Sequence, residues 1–264
     1  MNRSVWLFAL ALLLPLPIGG QGIGPAMAQD EVIKDCADCP ELVLLPDGSS
    51  IGKYLVTRDQ FAVFANDTGF SGKGCTQRYH NKWGLNPDAD WTAPGFEQAG
   101  DHPVVCMSWL DATAYAEWLS GKTGKPYRLP TVEESSAAAA AESPGPYVWG
   151  ADKDAVCEVG NVADASYLAA FPDDDRAILS CDDGYAYTSP VTAFPPNAYG
   201  LYDGIGNAWQ WTNSCLQGDC ANAIFRGGGW NVPAMRYFEA TESFGDRIAL
   251  RNFILGFRVL RDPE

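Results

Sequence analysis

The segment Phe225–Arg258 constrains the fold of this chain more than any other. It begins with Arg226 and the triplet Gly227–Gly229, continues through Trp230, and closes on Gly256-Phe257-Arg258. Because glycine adopts backbone conformations and close approaches that are forbidden to other residues, the triplet predicts tight main-chain packing beside a large indole. Arg258 lies between two apolar residues, which predicts a buried guanidinium fixed by carbonyls or by a carboxylate.

A second aromatic run, Asn197–Thr212, lies just before this segment. Asn207, Trp209 and Trp211 alternate along it, so the two indoles are expected on one face of a strand, where their area would anchor a core. The 27 glycines and 18 prolines are spread throughout the chain, which favours many loops and short elements over long helices.

Two helix starts are indicated by capping boxes, in which a hydroxyl and a later polar side chain satisfy free amides. Thr57 with Gln60 begins the first, and its predicted buried face carries Phe61 with Phe64 or Ala65. The second begins at Thr131-Val-Glu-Glu and continues into an alanine run that ends near residue 142.

A further helix between these two is expected to begin after Ser108, over the run WLDATAYAEWLSGK. Glycine often ends helices, so Gly121 is predicted to stop this one. The predicted buried stripe consists of Leu110, Ala114, Trp118 and Gly121.

The first 28 residues have the composition of a secretory signal peptide. Arg3 supplies a positive start, residues 5–18 are mostly apolar, and Ala26-Met27-Ala28 is a small-x-small cleavage signal before Gln29. The apolar run is shorter than the roughly 20 residues of a spanning helix. The sequence therefore predicts a signal peptide over 1–28, a single domain over 29–264, and a periplasmic or secreted protein that is not inserted in a membrane after cleavage.

The formal net charge of −15 restricts the partners. An acidic surface repels nucleic acid and anionic lipid, and it suits divalent cations or basic molecules. We therefore expect no nucleic-acid partner; the partner class left open is a periplasmic protein or a small molecule.

The chain has eight cysteines, an even number, which in an exported protein predicts disulfides. Spacing suggests the pairs Cys36–Cys39, Cys75–Cys106, Cys157–Cys181 and Cys215–Cys220, although eight cysteines allow 105 complete pairings. The alternative for the first pair is a redox or metal motif. That alternative needs a helix start, where a thiolate is stabilised, but a proline and an apolar run typical of a strand follow here.

Several phrases of the chain, in this order, resemble the formylglycine-generating enzyme family, also called the sulfatase-modifying-factor domain. They are CPELVLLPDGS, YLVTRDQFAVFANDTGF, DHPVVCMSWLDATAYAEWLSGKTGKPYRLPTVEE, SPVTAFPPNAYGLYDGIGNAWQWTNSC, FRGGGW and LGFRVLRD. The resemblance implies an α+β, loop-rich, disulfide-stabilised fold of the C-type-lectin-like kind. One departure follows RLPT, where Ser135 and Ser136 lead into alanines and a large indole of the family is missing, so the core must repack around smaller side chains.

The resemblance also implies two structural calcium sites, since calcium takes carboxylate, amide and carbonyl oxygens. The first maps to the side chains of Asn161 and Asp183 and to the carbonyls of Val162 and Tyr185. The proposed Cys157–Cys181 bond would bring its two halves together. The second site maps to Asp203, Gly206, Ala208 and Gln210. Gln210 stands where the family usually has Glu, and the loss of that carboxylate weakens this second site.

The same resemblance places a copper-binding cysteine pair after the glycine triplet, but Val232 and Tyr237 occupy those positions and every cysteine precedes Arg226. Because copper(I) is selected by thiolates, the sequence predicts no cysteine-to-formylglycine activity. A second branch of the family uses iron on a histidine cluster. This chain has only His80 and His102, and their spacing gives no support for iron. A third branch contains periplasmic accessory proteins, which this chain resembles in its export signal, size and early cysteines.

Two hypotheses follow. In the first, the protein is an exported accessory or binding module whose segment 231–251 forms a recognition surface, because aromatic and arginine side chains dominate binding hot spots. The side chains that suit such a surface are Trp230, just before the segment, and Arg236, Tyr237, Glu239, Arg247 and Arg251. In the second, it is a metal-dependent oxidoreductase with a divergent iron or copper site that uses His80, Tyr237 and Glu239.

Overall fold

The chain folds into short strands and capped helices joined by long loops. The computed structural model describes residues 32–79, 82–152, 155–239 and 241–263, so the predicted signal peptide and His80 lie outside the described residues. The helices are α1 Arg58–Thr68, α2 Trp109–Thr123, α3 Val132–Ala140, α4 Val156–Val159 and α5 Ala165–Ala170, with a 3₁₀ turn at Met235–Phe238. The strands are β1 Leu42–Leu44, β2 Ser50–Gly52, β3 Lys73–Tyr79, β4 Lys82–Asp90, β5 Tyr127–Arg128, β6 Trp209–Leu216, β7 Asp219–Arg226, β8 Ser243–Arg247, β9 Leu255–Phe257 and β10 Leu260–Arg261.

Both predicted capping boxes are present. The Thr57 hydroxyl accepts from the amide of Gln60 at 3.2 Å, and the Gln60 side chain accepts from the amide of Thr57 at 3.1 Å. Thr131 and Glu134 do the same at the start of α3. Phe61, Phe64 and Ala65 are all buried, so α1 presents the predicted face to the core.

The predicted stripe of α2 is not its most buried face: Ala114 and Trp118 pack against the core but are only partly buried, and Leu110 and Gly121 are exposed. The helix continues to Thr123 and is capped by Gly124 rather than ending at Gly121. Its buried residues are Asp111, Ala112, Tyr115, Ala116 and Leu119. Leu110 is 47% exposed, because Tyr115 packs against Phe61 and Phe257 and so turns the neighbouring face outward.

Two four-stranded sheets and a hairpin organise the described residues. One sheet has the order β1-β2-β10-β5 and is antiparallel, which joins both ends of the domain. The other has the order β8-β7-β6-β9, with β9 parallel to β6 in the register Trp209 to Leu255. Strands β3 and β4 form the hairpin. The two indoles of β6, Trp209 and Trp211, both pack edge-on against Phe225, as their alternation predicted.

Four disulfides fasten the loops, at the pairs that the spacing suggested: Cys36–Cys39, Cys75–Cys106, Cys157–Cys181 and Cys215–Cys220. No cysteine of the chain is left free, and all eight lie in described segments. Disulfides of this density indicate an oxidising, extracellular environment. Residues 32–264 form one compact unit, and the expected α+β, loop-rich, disulfide-stabilised fold is confirmed.

The search for membrane-crossing helices covered the described residues, and among them no helix has the length and apolar character that a bilayer requires.

Candidate functional site

The glycine triplet lies at the start of a loop, and the ring of Phe238 packs against it where the loop ends. Gly228 has φ +72°, and a Cβ atom there would lie 2.5 Å from the ring of Phe238. Only glycine therefore permits this contact without displacing a buried aromatic ring. Residues 229–237 form a loop between the two contacting positions, and we call them the framed loop.

Trp230, predicted to belong to a recognition surface, lies in the core instead. Its side chain is 1% exposed and packs among aromatic rings, where its large area is buried. Its indole Nε1 finds no acceptor in the protein. The surrounding rings are Phe96, Tyr167, Phe171, Tyr187 and Phe253.

The two positions at which the family resemblance predicts a cysteine pair hold a core residue and a partly exposed aromatic residue. Val232 is 4% exposed, and its carbonyl accepts from the amide of Ala163 at 3.0 Å. Tyr237 lies on the 3₁₀ turn, and its hydroxyl accepts from Arg236 Nη2 at 2.6 Å. Neither side chain is a ligand that copper(I) selects.

Arg236 is the exposed residue of the framed loop, and Tyr237 beside it is partly buried. The guanidinium of Arg236 lies 4.6 Å from the centre of the Tyr237 ring, close enough for a cation–π interaction. Beneath it, the Tyr237 ring contacts Phe244 at 5.2 Å and Trp209 at 6.1 Å. We call Arg236, Tyr237 and Phe244 the Tyr237 surface.

The remaining predicted surface residues do not join this surface. Arg251 is engaged internally, since its Nε and Nη2 donate to both carboxylate oxygens of Asp111 at 2.6 and 2.8 Å. Arg247 is exposed but lies three positions after Phe244 on β8, so the alternation of strand side chains turns it to the opposite face. Glu239 is partly buried and pairs through its backbone with Tyr147.

His102 makes its contacts with other parts of the fold. Its Nδ1 lies 3.0 Å from the hydroxyl of Thr188, and its carbonyl accepts from the amide of Arg58. Burial lowers the pKa of His102. These contacts tie the loop before Pro103 to the start of α1 and bring no second histidine to the site among the described residues.

The structure brings together Asn161 and Asp183, the two side chains of the first predicted cation site. The amide of Val162 donates to Asp183 Oδ2 at 2.7 Å, so Asp183 lies beside the backbone that follows Asn161. Asn161 is fully buried, and its Oδ1 has no hydrogen-bond donor. The Cys157–Cys181 disulfide joins the two segments just before these residues. Carboxylate, amide and carbonyl oxygens are the ligands that calcium prefers, so the residues present here fit that ion.

Sequence reasoning missed a second carboxylate at this site. Asp164 begins α5, where its Oδ1 accepts from the amide of Ser166 at 3.0 Å, and its Oδ2 accepts from the amide of Asp183. One ligand oxygen each from Asp164 and Asp183 lies within 4.8 Å of the Cys157 sulfur, but that sulfur is bonded to Cys181 and is no thiolate. The helix-start pattern at Asp164 was the available signal.

Both carboxylates have raised pKa values. Burial raises the pKa of Asp183 to about 7, and the charges of Asp164 and Asp182 add to the effect, against donation by the amides of Val162 and Tyr185. Burial likewise raises the pKa of Asp164. A cation bound here would relieve both costs, because it would favour the ionised forms.

The second predicted cation site is arranged differently. Gln210 uses both amide atoms internally: Nε2 donates to the carbonyl of Asp203 at 2.9 Å, and Oε1 accepts from Arg258 Nε at 3.1 Å. Asp203 is 2% exposed, and its Oδ2 accepts from Asn207 at 3.0 Å. Gly206, also predicted as a ligand, turns tightly beside Asn161, and Ala208 is fully buried. With Gln210 engaged and a guanidinium beside it, this donor set does not fit calcium well.

Arg258 is the buried, carbonyl-fixed guanidinium that the sequence predicted. It donates to the carbonyl of Gly52 at 2.5 Å, of Tyr202 at 2.6 Å and of Asp203 at 3.2 Å. Arg226 differs sharply: it is fully buried, yet the only hydrogen bonds of its guanidinium in the described structure run from Nη1 to Ser135 at 3.3 and 3.4 Å. Its Nε and Nη2 have no acceptor.

The chain is similar to characterised proteins over most of its length. Residues 27–263 match the sulfatase-modifying factor enzyme 1-like domain. A formylglycine-generating enzyme of Thermomonospora curvata is 34% identical over 188 residues, which are 61% of this chain and 58% of that protein. The inactive C-alpha-formylglycine-generating enzyme 2 of Bos taurus is 39% identical over 154 residues, 54% of this chain and 44% of that protein. The chain thus spans about half the length of these curated relatives.

A solved structure provides the corresponding likeness in three dimensions. PvdO from Pseudomonas aeruginosa superposes with a TM-score of 0.70 at 25% identity, covering 88% of this chain and 97% of that one. CarF, at 21% identity and a TM-score of 0.57, shares the fold over 82% of this chain. Because the domain match covers nearly all of the residues that carry the glycine triplet, the helices and both cation loops, the chain belongs to the sulfatase-modifying factor enzyme 1-like domain family.

Proposed function

We propose that this protein is an exported accessory or binding module of its family, without cysteine-to-formylglycine activity, that recognises its partner through the Tyr237 surface. The single observation that carries this proposal is the content of the framed loop. A core valine and an arginine-stacked tyrosine occupy the two positions where active relatives would carry thiols. The loop keeps its glycine frame while presenting side chains suited to contact rather than to copper.

The names of the relatives are compatible with both an enzyme and an inactive binding module. Proteins named as formylglycine-generating enzymes and proteins named as their inactive counterparts are similar to this chain at comparable identity, 34% and 39%. Similarity over the domain therefore follows the fold and not the reaction. The reaction depends on the particular side chains within the framed loop.

Export is the second part of the proposal. It rests on the signal-peptide composition of residues 1–28 and on the four disulfides, which form and persist in oxidising compartments. We further propose one structural calcium ion at Asn161 and Asp183, with Asp164 contributing charge, and none at the Gln210 site.

The activity is tested with a cysteine-containing sulfatase peptide and copper, followed by mass spectrometry for the aldehyde product. The Thermomonospora curvata enzyme serves as the positive control. We expect no aldehyde from this protein under conditions in which the control converts the peptide. Conversion by the purified protein would overturn the proposal.

The alternative, a metal-dependent oxidoreductase, is tested by elemental analysis of protein purified without oxygen. Calcium alone, in stoichiometric amount, supports a binding module. Stoichiometric iron or copper would overturn the binding-module proposal and favour a metal-dependent oxidoreductase. Export is tested separately by sequencing the amino terminus of the protein recovered from the host periplasm, which we expect to begin at Gln29.

A further inference from the structure

A cavity of about 460 Å³ lies on the side of α3 that carries its last alanines. Residues 139–141 form one wall, and the loop 195–198 forms the opposite wall. Val148 and Trp149 close one end, and residues 203–205 form a further part of the lining. This volume is within the range of pockets that hold small molecules, roughly 300–1,000 Å³.

The cavity is open because α3 presents methyl groups on this side. Ala139 is 1% exposed and Ala140 is partly buried, so no long side chain reaches across. Asn197 fixes the opposite wall: its Nδ2 donates to the carbonyls of Ala138 and Ala139 at 2.8 and 3.0 Å. Its Oδ1 also accepts from the amides of two later residues, Tyr199 and Leu201. Hydrogen bonds within the protein therefore fix the loop 195–198 relative to α3, and the cavity is preformed.

The lining carries negative charge. Two carboxylate residues, Glu142 and Asp203, belong to it, and its described residues include no Lys, Arg or His. Glu142 is exposed at the rim, where its Oε1 accepts from the Tyr199 hydroxyl at 3.1 Å. Asp203 is buried, and its Oδ1 accepts no hydrogen bond from the protein. Asp203 is therefore a buried part of the lining, and Glu142 is the carboxylate that a bound molecule can reach.

The lining also offers an aromatic face. Trp149 is partly exposed and is held in place by Tyr147, whose ring stacks on it at 4.9 Å with an angle of 9° between the planes. Indole faces attract cations as well as apolar rings. Proline, alanine and branched aliphatic side chains make up most of the remaining lining, which favours an apolar body.

We propose that this cavity binds a small organic cation, an amine carried on an apolar ring system, with the ring against Trp149 and the alanine wall and the ammonium near the Glu142 carboxylate at the rim. An ammonium N–H would make a charge-assisted hydrogen bond to this carboxylate. An anion of the same shape would meet the Glu142 carboxylate and no basic side chain among the described lining residues. The site is separate from the Tyr237 surface, and its occupancy does not depend on the function proposed above.

Binding is tested with tryptamine, tryptophol and indole-3-acetate, which share one ring system and differ in charge. Isothermal titration calorimetry on the purified protein should give saturable binding of tryptamine. We expect tryptophol to bind about tenfold or more weakly, because it lacks the charge that strengthens a hydrogen bond to a carboxylate, and indole-3-acetate not to bind. Absence of saturable tryptamine binding, or equal binding of the neutral or anionic probe, would overturn the proposal.

Location is tested by filling the cavity. Ala140→Leu places a larger side chain into the lining, and Ala137→Leu adds the same group on an exposed position of α3 that does not line the cavity. Tryptamine affinity should fall at least about tenfold in the first variant and stay unchanged in the second. Ala198→Leu fills the opposite wall and replaces Ala140→Leu if that variant does not fold. Wild-type affinity in a folded, cavity-filled variant would show that the probe binds elsewhere.

Discussion

Arg258 Nε donates to Gln210 Oε1 at 3.1 Å, inside the protein and next to the carbonyl of Asp203. Glutamine is suited to this position because its amide also donates, from Nε2, to the same carbonyl. A glutamate could not make that second bond when ionised. A substitution at Gln210, one of the predicted calcium ligands, would therefore also disturb the hydrogen bonds of Arg258, which follows β9.

The first prediction contrasts the two buried arginines. Arg258→Met should lower the free energy of unfolding by about 3–5 kcal/mol, because several buried carbonyls lose their donor. Arg226→Met should be neutral or stabilising, because the lost hydrogen bonds are long and two guanidinium nitrogens have no acceptor. Urea unfolding of both variants measures the difference. Equal destabilisation would show that Arg226 is satisfied in solution, for example by ordered water.

The second prediction concerns Gln210→Glu. The substitution places a second carboxylate beside Asp203, whose pKa burial already raises to about 7, so the pair should attract a divalent cation. We expect calcium to raise the melting temperature of this variant more than that of the wild type. Gln210→Met, which brings no charge, is the matched control. A calcium response that is the same in all three proteins would contradict the prediction.

The third prediction is a pH dependence at the first cation site. The folded pKa of Asp183, about 7, lies above the usual value near 3.9, so the folded state binds more protons than the unfolded state between these values. Without calcium, the contribution of Asp183 is thus fully present below about pH 4 and is lost as the pH rises through 7. Asp183→Asn removes this loss, so its melting temperature relative to the wild type should rise with pH.

Added calcium should reverse the order of the melting temperatures of the wild type and Asp183→Asn at high pH. Ionised Asp183 binds the ion, so added calcium should stabilise the wild type above pH 7 and leave Asp183→Asn nearly unchanged. Melting curves with calcium and with chelator, at pH 5 and pH 8, provide the comparison. If chelator and calcium give the same wild-type curve at pH 8, the site holds no calcium.

The fourth prediction ranks two disulfides. Cys75–Cys106 closes 31 residues and ties β3 to the loop before α2, whereas Cys215–Cys220 closes 5 residues within the β6–β7 hairpin. In the chain-entropy account, loss of the first costs about 3–4 kcal/mol and loss of the second about 2 kcal/mol. Urea unfolding of the double variants, each pair changed to alanine, checks the order. A larger loss from the hairpin pair would show that strain or denatured-state structure dominates.

Local signals predicted the frame of the molecule well. Capping boxes placed the starts of α1 and α3, because they depend on residues three positions apart. The alternation of Trp209 and Trp211 gave the core face of β6 for the same reason. The buried stripe of α2 was missed because it depends on Phe61 and Phe257, which are distant in the sequence.

The site was harder to predict because burial decides it. Trp230, Arg236 and Arg251 fall in one segment of the sequence, yet the first lies in the core, the second on the surface and the third in an ion pair with Asp111. Composition alone cannot separate these outcomes. The proximity of Asn161 and Asp183 was easier to predict, since the Cys157–Cys181 disulfide joins the segments just before them, but the position of Asp164 depended on the start of α5.

The contact between Gly228 and Phe238 holds the base of the framed loop by steric fit between a glycine and an aromatic ring. This fit does not depend on thiols, metals or a substrate. Trp230 and Val232 belong to the core, whereas residues 233–237 are partly buried or exposed and can change their chemistry while the domain keeps its shape. Relatives with and without activity can share one scaffold by this means, and new specificities can be grafted onto this domain by rewriting those five residues.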